Sequence, residues 1–210
     1  MSRTSANRAH FCKPVASDTT LPIGILSLQG DVAAHGRALA DIGEPWIEVK
    51  KPAALDRVGG LILPGGESTT MLRAIREEGF WEPLATFDRP ILATCAGVIL
   101  LAREVRNPAQ ASLGRLDVAV VRNGYGRQNE SFIDSAPVDG TERELVFIRA
   151  PRIVDLGPSV QILVRLRGEA IMVEEGGITA CTFHPELSAH RAIHERFVRC
   201  ARAECAPCDS

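Results

Sequence analysis

The chain has 210 residues, 45% of them hydrophobic, and a formal net charge of −2. That is enough apolar material for a sizeable core, and the balanced charge leaves no broad basic surface, which argues against nucleic acid as a partner. No apolar run approaches the roughly 18–20 residues of a membrane span, and residues 1–20 lack the apolar stretch of a secretory signal.

Residues 1–20 are rich in Ser, Thr and Asn and carry Arg3, Arg8 and Lys13 ahead of the first acid, Asp18. A transit peptide can look similar, but the composition fits a disordered extension better. Order is expected to begin with a short buried strand at residues 22–28, a helix at about 32–42 and a second strand at 45–49. Residues 60–63 form a third apolar strand, which ends in Pro64-Gly65-Gly66. A helix begins near Ser68, with Met71, Leu72 and Ile75 on one face. A glycine pair lets backbone amides approach a ligand and point at it. The plain alternative is a turn with Ser68 as helix cap, and both can hold.

The fourth strand, residues 90–93, runs into Ala93-Thr94-Cys95-Ala96-Gly97, and the apolar Val98-Ile99-Leu100-Leu101 continues as a helix. Small residues two before and two after Cys95 let the backbone turn without a Cβ clash. The pattern is the cysteine counterpart of the nucleophile elbow, and it sets a thiol at a helix N-terminus, where the thiolate is favoured. A buried structural cysteine is the competing reading.

Past Leu116 the pattern changes to short strands at 116–121, 131–137, 145–149, 160–165, 169–173 and 178–182, closed by a helix from 189 to about 202. Strands alternating with helices in the first half imply a parallel sheet covered on both faces. The later strands are expected to add antiparallel pairs to the same layered domain. The fold class is therefore α/β, a three-layer α/β/α arrangement with a mostly parallel central sheet. No internal repeat or Pro/Gly-rich linker divides it, so residues 21–203 are expected to form a single domain, with a flexible tail at 204–210.

Thr182-Phe183-His184-Pro185-Glu186 follows the last apolar strand. Proline keeps the preceding residue extended, and in an extended segment residues i and i+2 point the same way. His184 and Glu186 then face together, so the carboxylate holds one imidazole nitrogen while the other meets a thiol. Alone, this segment would read as a surface His and Glu beside a proline. With the elbow it completes a nucleophile, a base and an orienting acid: Cys95, His184 and Glu186.

The six cysteines do not form a disulfide framework. Cys12 lies in the extension, Cys181 inside an apolar strand, and Cys200, Cys205 and Cys208 near the end. Cys205-Ala206-Pro207-Cys208 has the C-x-x-C spacing, but it lacks the following helix of a redox pair and the second ligand pair of a zinc site. No metal and no cofactor is expected.

Leu28-Gln29-Gly30, Leu63-Pro64-Gly65-Gly66-Glu67-Ser68-Thr69-Thr70-Met71, Thr94-Cys95-Ala96-Gly97, Arg122-Asn123-Gly124-Tyr125-Gly126-Arg127-Gln128, Phe147-Ile148-Arg149-Ala150-Pro151 and Phe183-His184-Pro185-Glu186-Leu187 occur in that order. Together they resemble the glutaminase subunits of the two-component pyridoxal 5′-phosphate synthases, which are class I glutamine amidotransferases with a flavodoxin-like fold. The elbow and the His-x-Glu segment are common to that class, whereas the Pro-Gly-Gly-Glu-Ser-Thr-Thr, Asn-Gly-Tyr-Gly-Arg-Gln and Phe-Ile-Arg-Ala-Pro segments are specific to this subunit. Ala93 stands where the family usually has glycine, and Ala33-Ala34-His35 replaces a more polar segment.

The resemblance implies hydrolysis of L-glutamine in the cytoplasm by a Cys95–His184–Glu186 triad, with ammonia delivered to a (β/α)8-barrel synthase subunit. It implies an oxyanion hole made by the amides of Gly66 and Ala96. Glutamine contacts are implied at Gly66, Glu67, Ser68, Arg122, Ile148 and Arg149, the two arginines as partners for the α-carboxylate. Gln29 is implied to face the synthase and to help complete the oxyanion hole. Two rivals remain: a glutaminase serving another acceptor, such as imidazole glycerol phosphate synthesis, and a silent regulatory protein on the same fold.

Overall fold

The computed structural model describes residues 21–124 and 131–202. The expected extension and tail, with Cys12, Cys205 and Cys208, and the Tyr125-Gly126-Arg127-Gln128 part of one motif, lie outside the described residues. In the first half the elements are β1 (Ile23–Leu26), α1 (Val32–Asp41), β2 (Trp46–Val49), β3 (Gly60–Leu63), α2 (Ser68–Glu77), α3 (Trp81–Thr86), β4 (Ile91–Thr94) and α4 (Ala96–Leu101). The second half contains β5 (Ala102–Arg106), β6 (Leu116–Val121), β7 (Ser131–Val138), β8 (Thr141–Ile148), β9 (Arg152–Leu156), β10 (Gln161–Leu166), β11 (Glu169–Glu175), β12 (Ile178–Cys181) and α5 (Ala192–Ala201). Short 3₁₀ turns cover Pro52–Arg57 and Pro185–Leu187.

The main sheet has seven strands in the order β10-β11-β12-β4-β3-β1-β2. The strands from β12 to β2 run parallel, and β11 and β10 extend one edge antiparallel. β1, β3, β4 and β12 are buried along their whole length, which is why they read as continuous apolar runs rather than alternating ones. Alternate residues still go to opposite faces. Leu61, Leu63, Ile91, Ala93, Ile178 and Ala180 enter one core with α2 and α4, through Met71, Leu72, Ile75 and Val98. Ile23, Ile25, Ile62, Leu92 and Cys181 enter the other, with Leu39 of α1 and Ile193 and Phe197 of α5. The three-layer α/β/α arrangement follows from this two-sided burial.

The later strands do not all join that layer. Only β10, β11 and β12 do; β5, β6 and β9 form a separate three-stranded sheet, and β7 and β8 pair as a hairpin. The small sheet supplies Val105, Leu116, Val118, Val120 and Ile153 to the first core. The hairpin supplies Ala136, Val138, Leu145 and Phe147 to the second. Each accessory sheet thus covers one flank of the main sheet instead of lengthening it. β5 and β9 are strands that the sequence reading did not anticipate. β5, Ala-Arg-Glu-Val-Arg, follows the apolar helix with only two buried residues, and β9 buries only Ile153, so neither shows an apolar run.

Candidate active site

Four neighbouring strands of the main sheet end on the same side, where open α/β sheets place their sites. Cys181 of β12 pairs in register with Thr94 of β4, and Leu63 of β3 with Ala93 of β4. The chain leaving β4 therefore carries Cys95, the chain leaving β12 carries His184, and the chain leaving β3 carries Gly65 and Gly66, all within a few residues of that register. Gln29 follows β1, the next strand along. Backbone hydrogen bonds pin the two reacting segments: Cys95 N donates to Cys181 O at 2.9 Å and His184 N to Val146 O at 2.8 Å.

Cys95 has φ 46° and ψ −102°, a conformation costly for a non-glycine residue and common at functional sites. A Cβ on Gly97 would strike the backbone oxygen of Leu63, so the turn beyond the cysteine passes too close to β3 for any side chain. Ala93 lies within regular strand β4 and has no positive φ, so the absence of glycine there costs nothing. Cys95 is 5% exposed, and its thiol donates to the Ile148 carbonyl at 3.7 Å. Gly65 sits between Cys95 and His184: a Cβ there would strike the His184 ring and lie 3.2 Å from Cys95 Cβ.

His184 Nδ1 lies 2.7 Å from Glu186 Oε1, the expected pairing reached by a different route. The segment is not extended throughout: Pro185–Leu187 forms a 3₁₀ turn, which folds the glutamate back under the imidazole. Burial works against a charge on His184, but the Cys95 and Glu186 side chains outweigh it and push the imidazole up to about 10. Burial likewise opposes the Glu186 charge, while His35 and His184 hold its carboxyl below the ordinary value. Both neighbouring side chains thus favour the protonated form of His184.

Cys95 and His184 line a cavity of about 230 Å³ together with Gly66, Glu67, Ser68, Arg122, Ile148 and Arg149. That is below the roughly 300–1,000 Å³ of drug-sized pockets and suits a ligand of amino-acid size. Glu67, not Ser68, caps α2. Its carboxylate accepts from Thr69 N at 3.0 Å, Thr70 N at 2.6 Å and Thr70 Oγ1 at 2.7 Å. Burial opposes its charge, but these bonds lower it to about 2; such a cap is worth about 1 kcal/mol. Ser68 is instead buried and donates from Oγ to Gln110 Oε1 at 3.0 Å. Arg122 Nη2 reaches Glu67 Oε1 at 3.3 Å and Thr69 Oγ1 at 3.1 Å. Arg149 is exposed at the rim with φ 45°, a second strained residue on the same cavity.

Gln29 lies beside the glycine loop. Its Oε1 accepts from Glu67 N at 2.8 Å, and a Cβ on Gly66 would strike that oxygen. Gln29 therefore holds the Gly66–Glu67 peptide in place. Ala96, the first residue of α4, follows the nucleophile directly. Two contributors are not evident from motifs: Gln110, which braces Ser68, and His35 of α1, whose Nε2 lies 3.4 Å from Glu186 Oε2. The helical spacing of Ala34, His35, Ala38 and Leu39 marks a buried face, but nothing local marks its distant partner.

Cysteine, histidine, carboxylate and a glycine loop thus meet at adjacent strand ends of a parallel sheet. A sequence model of the SNO glutamine amidotransferase family matches residues 25–203, and the chain belongs to that family. It is 45% identical over 186 residues to the pyridoxal 5′-phosphate synthase subunit PdxT of Koribacter versatilis, covering 87% of this chain and 96% of that protein. With the subunit of the same name from Thermotoga maritima it shares 47% over 184 residues, 85% and 98% of the two chains. A crystal structure of a glutamine amidotransferase superposes with a TM-score of 0.80 at 39% identity, covering 85% of this chain and 98% of the other. Among the described residues no helix is long and apolar enough to cross a membrane.

Proposed function

We propose that the chain, through residues 21–203, is the glutaminase subunit of a pyridoxal 5′-phosphate synthase acting in the cytoplasm. It hydrolyses L-glutamine to L-glutamate and ammonia and passes the ammonia to a (β/α)8-barrel partner. The observation that carries this reading is the alignment of Cys95, the 2.7 Å His184–Glu186 pair and the Gly65-Gly66 loop around one cavity.

The Cys95 thiolate attacks the carboxamide carbon of glutamine, and the amides of Gly66 and Ala96 hold the developing oxyanion. The His184 imidazolium gives its proton to the departing nitrogen, so ammonia leaves and a glutamyl thioester forms. His184 then takes a proton from water, hydroxide adds to the thioester, and collapse releases glutamate and returns the sulfur to Cys95. Glu186 keeps Nδ1 protonated, so Nε2 faces the sulfur and the substrate. Arg122 and Arg149 carry the charge that matches the α-carboxylate, and Glu67 and Ser68 offer acceptors to the α-ammonium group.

The loop that bears Gly66 is held by Gln29, at the exposed end of β1. Docking of a barrel on the Gln29 segment would aim the Gly66 amide into the site. An oxyanion donor is worth about 2.7–4 kcal/mol, or roughly a hundred- to a thousandfold in rate. Glutamate release by the full chain should therefore be slow alone and strongly raised by a pyridoxal 5′-phosphate synthase barrel subunit. Gln29→Ala should lower the stimulated rate without unfolding the free chain. Full activity in isolation, unchanged by the barrel, removes the partner; no activity with or without it removes the glutaminase.

A further inference from the structure

The triad does not end at Glu186. Its Oε1 is taken by His184, while Oε2 is buried beside α1 and has no hydrogen-bond partner. His35 Nε2 lies 3.4 Å from Oε2, with the two side chains 0% and 1% exposed. Behind it, His35 Nδ1 lies 3.1 Å from Nε2 of His194 on α5, and Thr94 Oγ1 of β4 lies 3.4 Å from His35 Nε2. His35 and His194 are both fully buried. A buried run thus leads from His184 through Glu186 and His35 to His194, using the 3₁₀ turn, α1 and α5.

The placement of two protons decides what this run does. Burial lowers the pKa of His35, with Glu186 and Asp31 opposing it, and lowers His194 to about 3 with His35 adding to the effect; each ring therefore carries one proton. If His35 is protonated on Nε2, it offers that proton to Glu186 Oε2 and accepts on Nδ1 from His194 Nε2–H. His194 Nδ1, which has no partner, is then a bare lone pair. In the opposite arrangement His35 Nε2 turns a lone pair on a carboxylate oxygen, and His194 buries an N–H with nothing to receive it. A stranded buried donor costs about 1–3 kcal/mol, so the first arrangement holds. At 3.4 Å the His35–Glu186 contact is not a formed hydrogen bond, since Oε2 has no partner in this structure; the Nε2–H acts on the buried carboxylate oxygen across that gap through its partial charge.

We propose that His35 is a positioning residue for the reaction: its Nε2–H holds Glu186 Oε2, so that Oε1 stays aimed at His184, and His194 fixes the tautomer that presents that proton. The proposal rests on reading Glu186 as the orienting acid of the triad. His35→Gln retains a donor at about the reach of Nε2; His35→Asn reaches only as far as Nδ1, toward His194; His35→Leu removes the donor altogether.

The full chain is assayed with L-glutamine and the synthase subunit present. His35→Leu and His35→Asn are expected to lower kcat about tenfold with KM unchanged, the usual cost of losing a group that orients a reacting residue, while His35→Gln stays close to wild type. In proton NMR the low-field His184 Nδ1–H resonance should persist in His35→Gln and broaden by exchange in His35→Asn. Equal kcat in Asn and Gln, or a kcat in folded His35→Leu matching wild type, overturns the proposal. If His35→Leu fails to fold, the Asn–Gln pair alone decides. Cys95→Ser is run alongside: if it hydrolyses glutamine normally, the triad itself has failed, and not merely the role of His35.

Discussion

The two walls of the cavity are made differently. One comes from the carboxyl ends of β12, β4 and β3, is buried, and is fixed by backbone bonds from Cys95 to Cys181 and from His184 to Val146. The other comes from the end of β6 and the end of β8, in the accessory sheets, and presents Arg122 and the exposed Arg149. On the proposed mechanism the first wall holds the bond-making groups, whose geometry tolerates little error. The second presents charge, which acts over longer distances and tolerates motion. Damage to the first should lower kcat, and damage to the second should raise KM.

The largest effect is expected at the first wall. Cys95→Ser replaces a thiolate by a hydroxyl that the same base cannot activate, and should lower glutamate release at least about a thousandfold. The near-isosteric change should leave the thermal midpoint close to wild type. Turnover within reach of wild type would show that the buried wall does not do the chemistry.

Glu186→Gln tests the same wall through its proton balance, with an expected loss of about a hundredfold in kcat, less than for the nucleophile. The sign is fixed by the shifts. Burial works against the His184 charge, yet Cys95 and Glu186 raise it to about 10, above its unfolded value. Its stabilising contribution is complete below pH 6.5 and is lost as pH rises through about 10. Glu186 is lowered, so its contribution is present above its unfolded value and is lost as pH falls through the folded one. Removing the carboxylate takes away one of the causes that raise His184, so the alkaline fall in kcat/KM should move to lower pH. An unmoved alkaline limb would separate Glu186 from the base.

How much was legible in the sequence follows the same division. β3, β4 and β12 are short apolar runs, each ending in a motif whose backbone demands are local: Pro-Gly-Gly, small-x-Cys-x-Gly and His-Pro-Glu. Their chemistry could be read from spacing, although the His184–Glu186 pairing arises from a 3₁₀ turn and not from an extended i, i+2 face. The accessory sheets were less legible. β5 and β9 carry charged residues at exposed positions and bury little, so their pairing with β6 depends on contacts distant in sequence. Gln110 beneath Ser68 and His35 beneath Glu186 share that origin. Each joins two segments that only the fold brings together.

The second wall should answer with a different kinetic signature. On the proposed reading, Arg122→Met and Arg149→Met each remove a charged donor to the α-carboxylate, worth about 1.5–3 kcal/mol, or roughly ten- to a hundredfold in KM. kcat at saturating glutamine should remain near wild type, and Arg122→Met should also release Glu67 and Thr69. A fall in kcat with KM unchanged would mean that these arginines act on the reacting centre and that the two walls are not separable.

The smallest effect is expected one layer behind the start of α2, which follows β3. Gln110 accepts from Ser68 Oγ at 3.0 Å and donates from Nε2 to Ser68 O at 3.4 Å, and Thr69 Oγ1 lies 3.5 Å from the same Oε1. The side chain therefore holds the first residues of α2 in the orientation that faces the cavity, without lining it. Gln110→Ala removes a neutral bond worth about 1 kcal/mol, so KM for glutamine should rise about fivefold at constant kcat. Glu67 still caps α2 and the core is untouched, so the melting temperature should shift little. Ser68→Ala combined with Gln110→Ala should then be no worse than Ser68→Ala alone, because the glutamine acts only through the serine. Additive losses in that cycle would place Gln110 in direct contact with substrate and add it to the lining of the cavity.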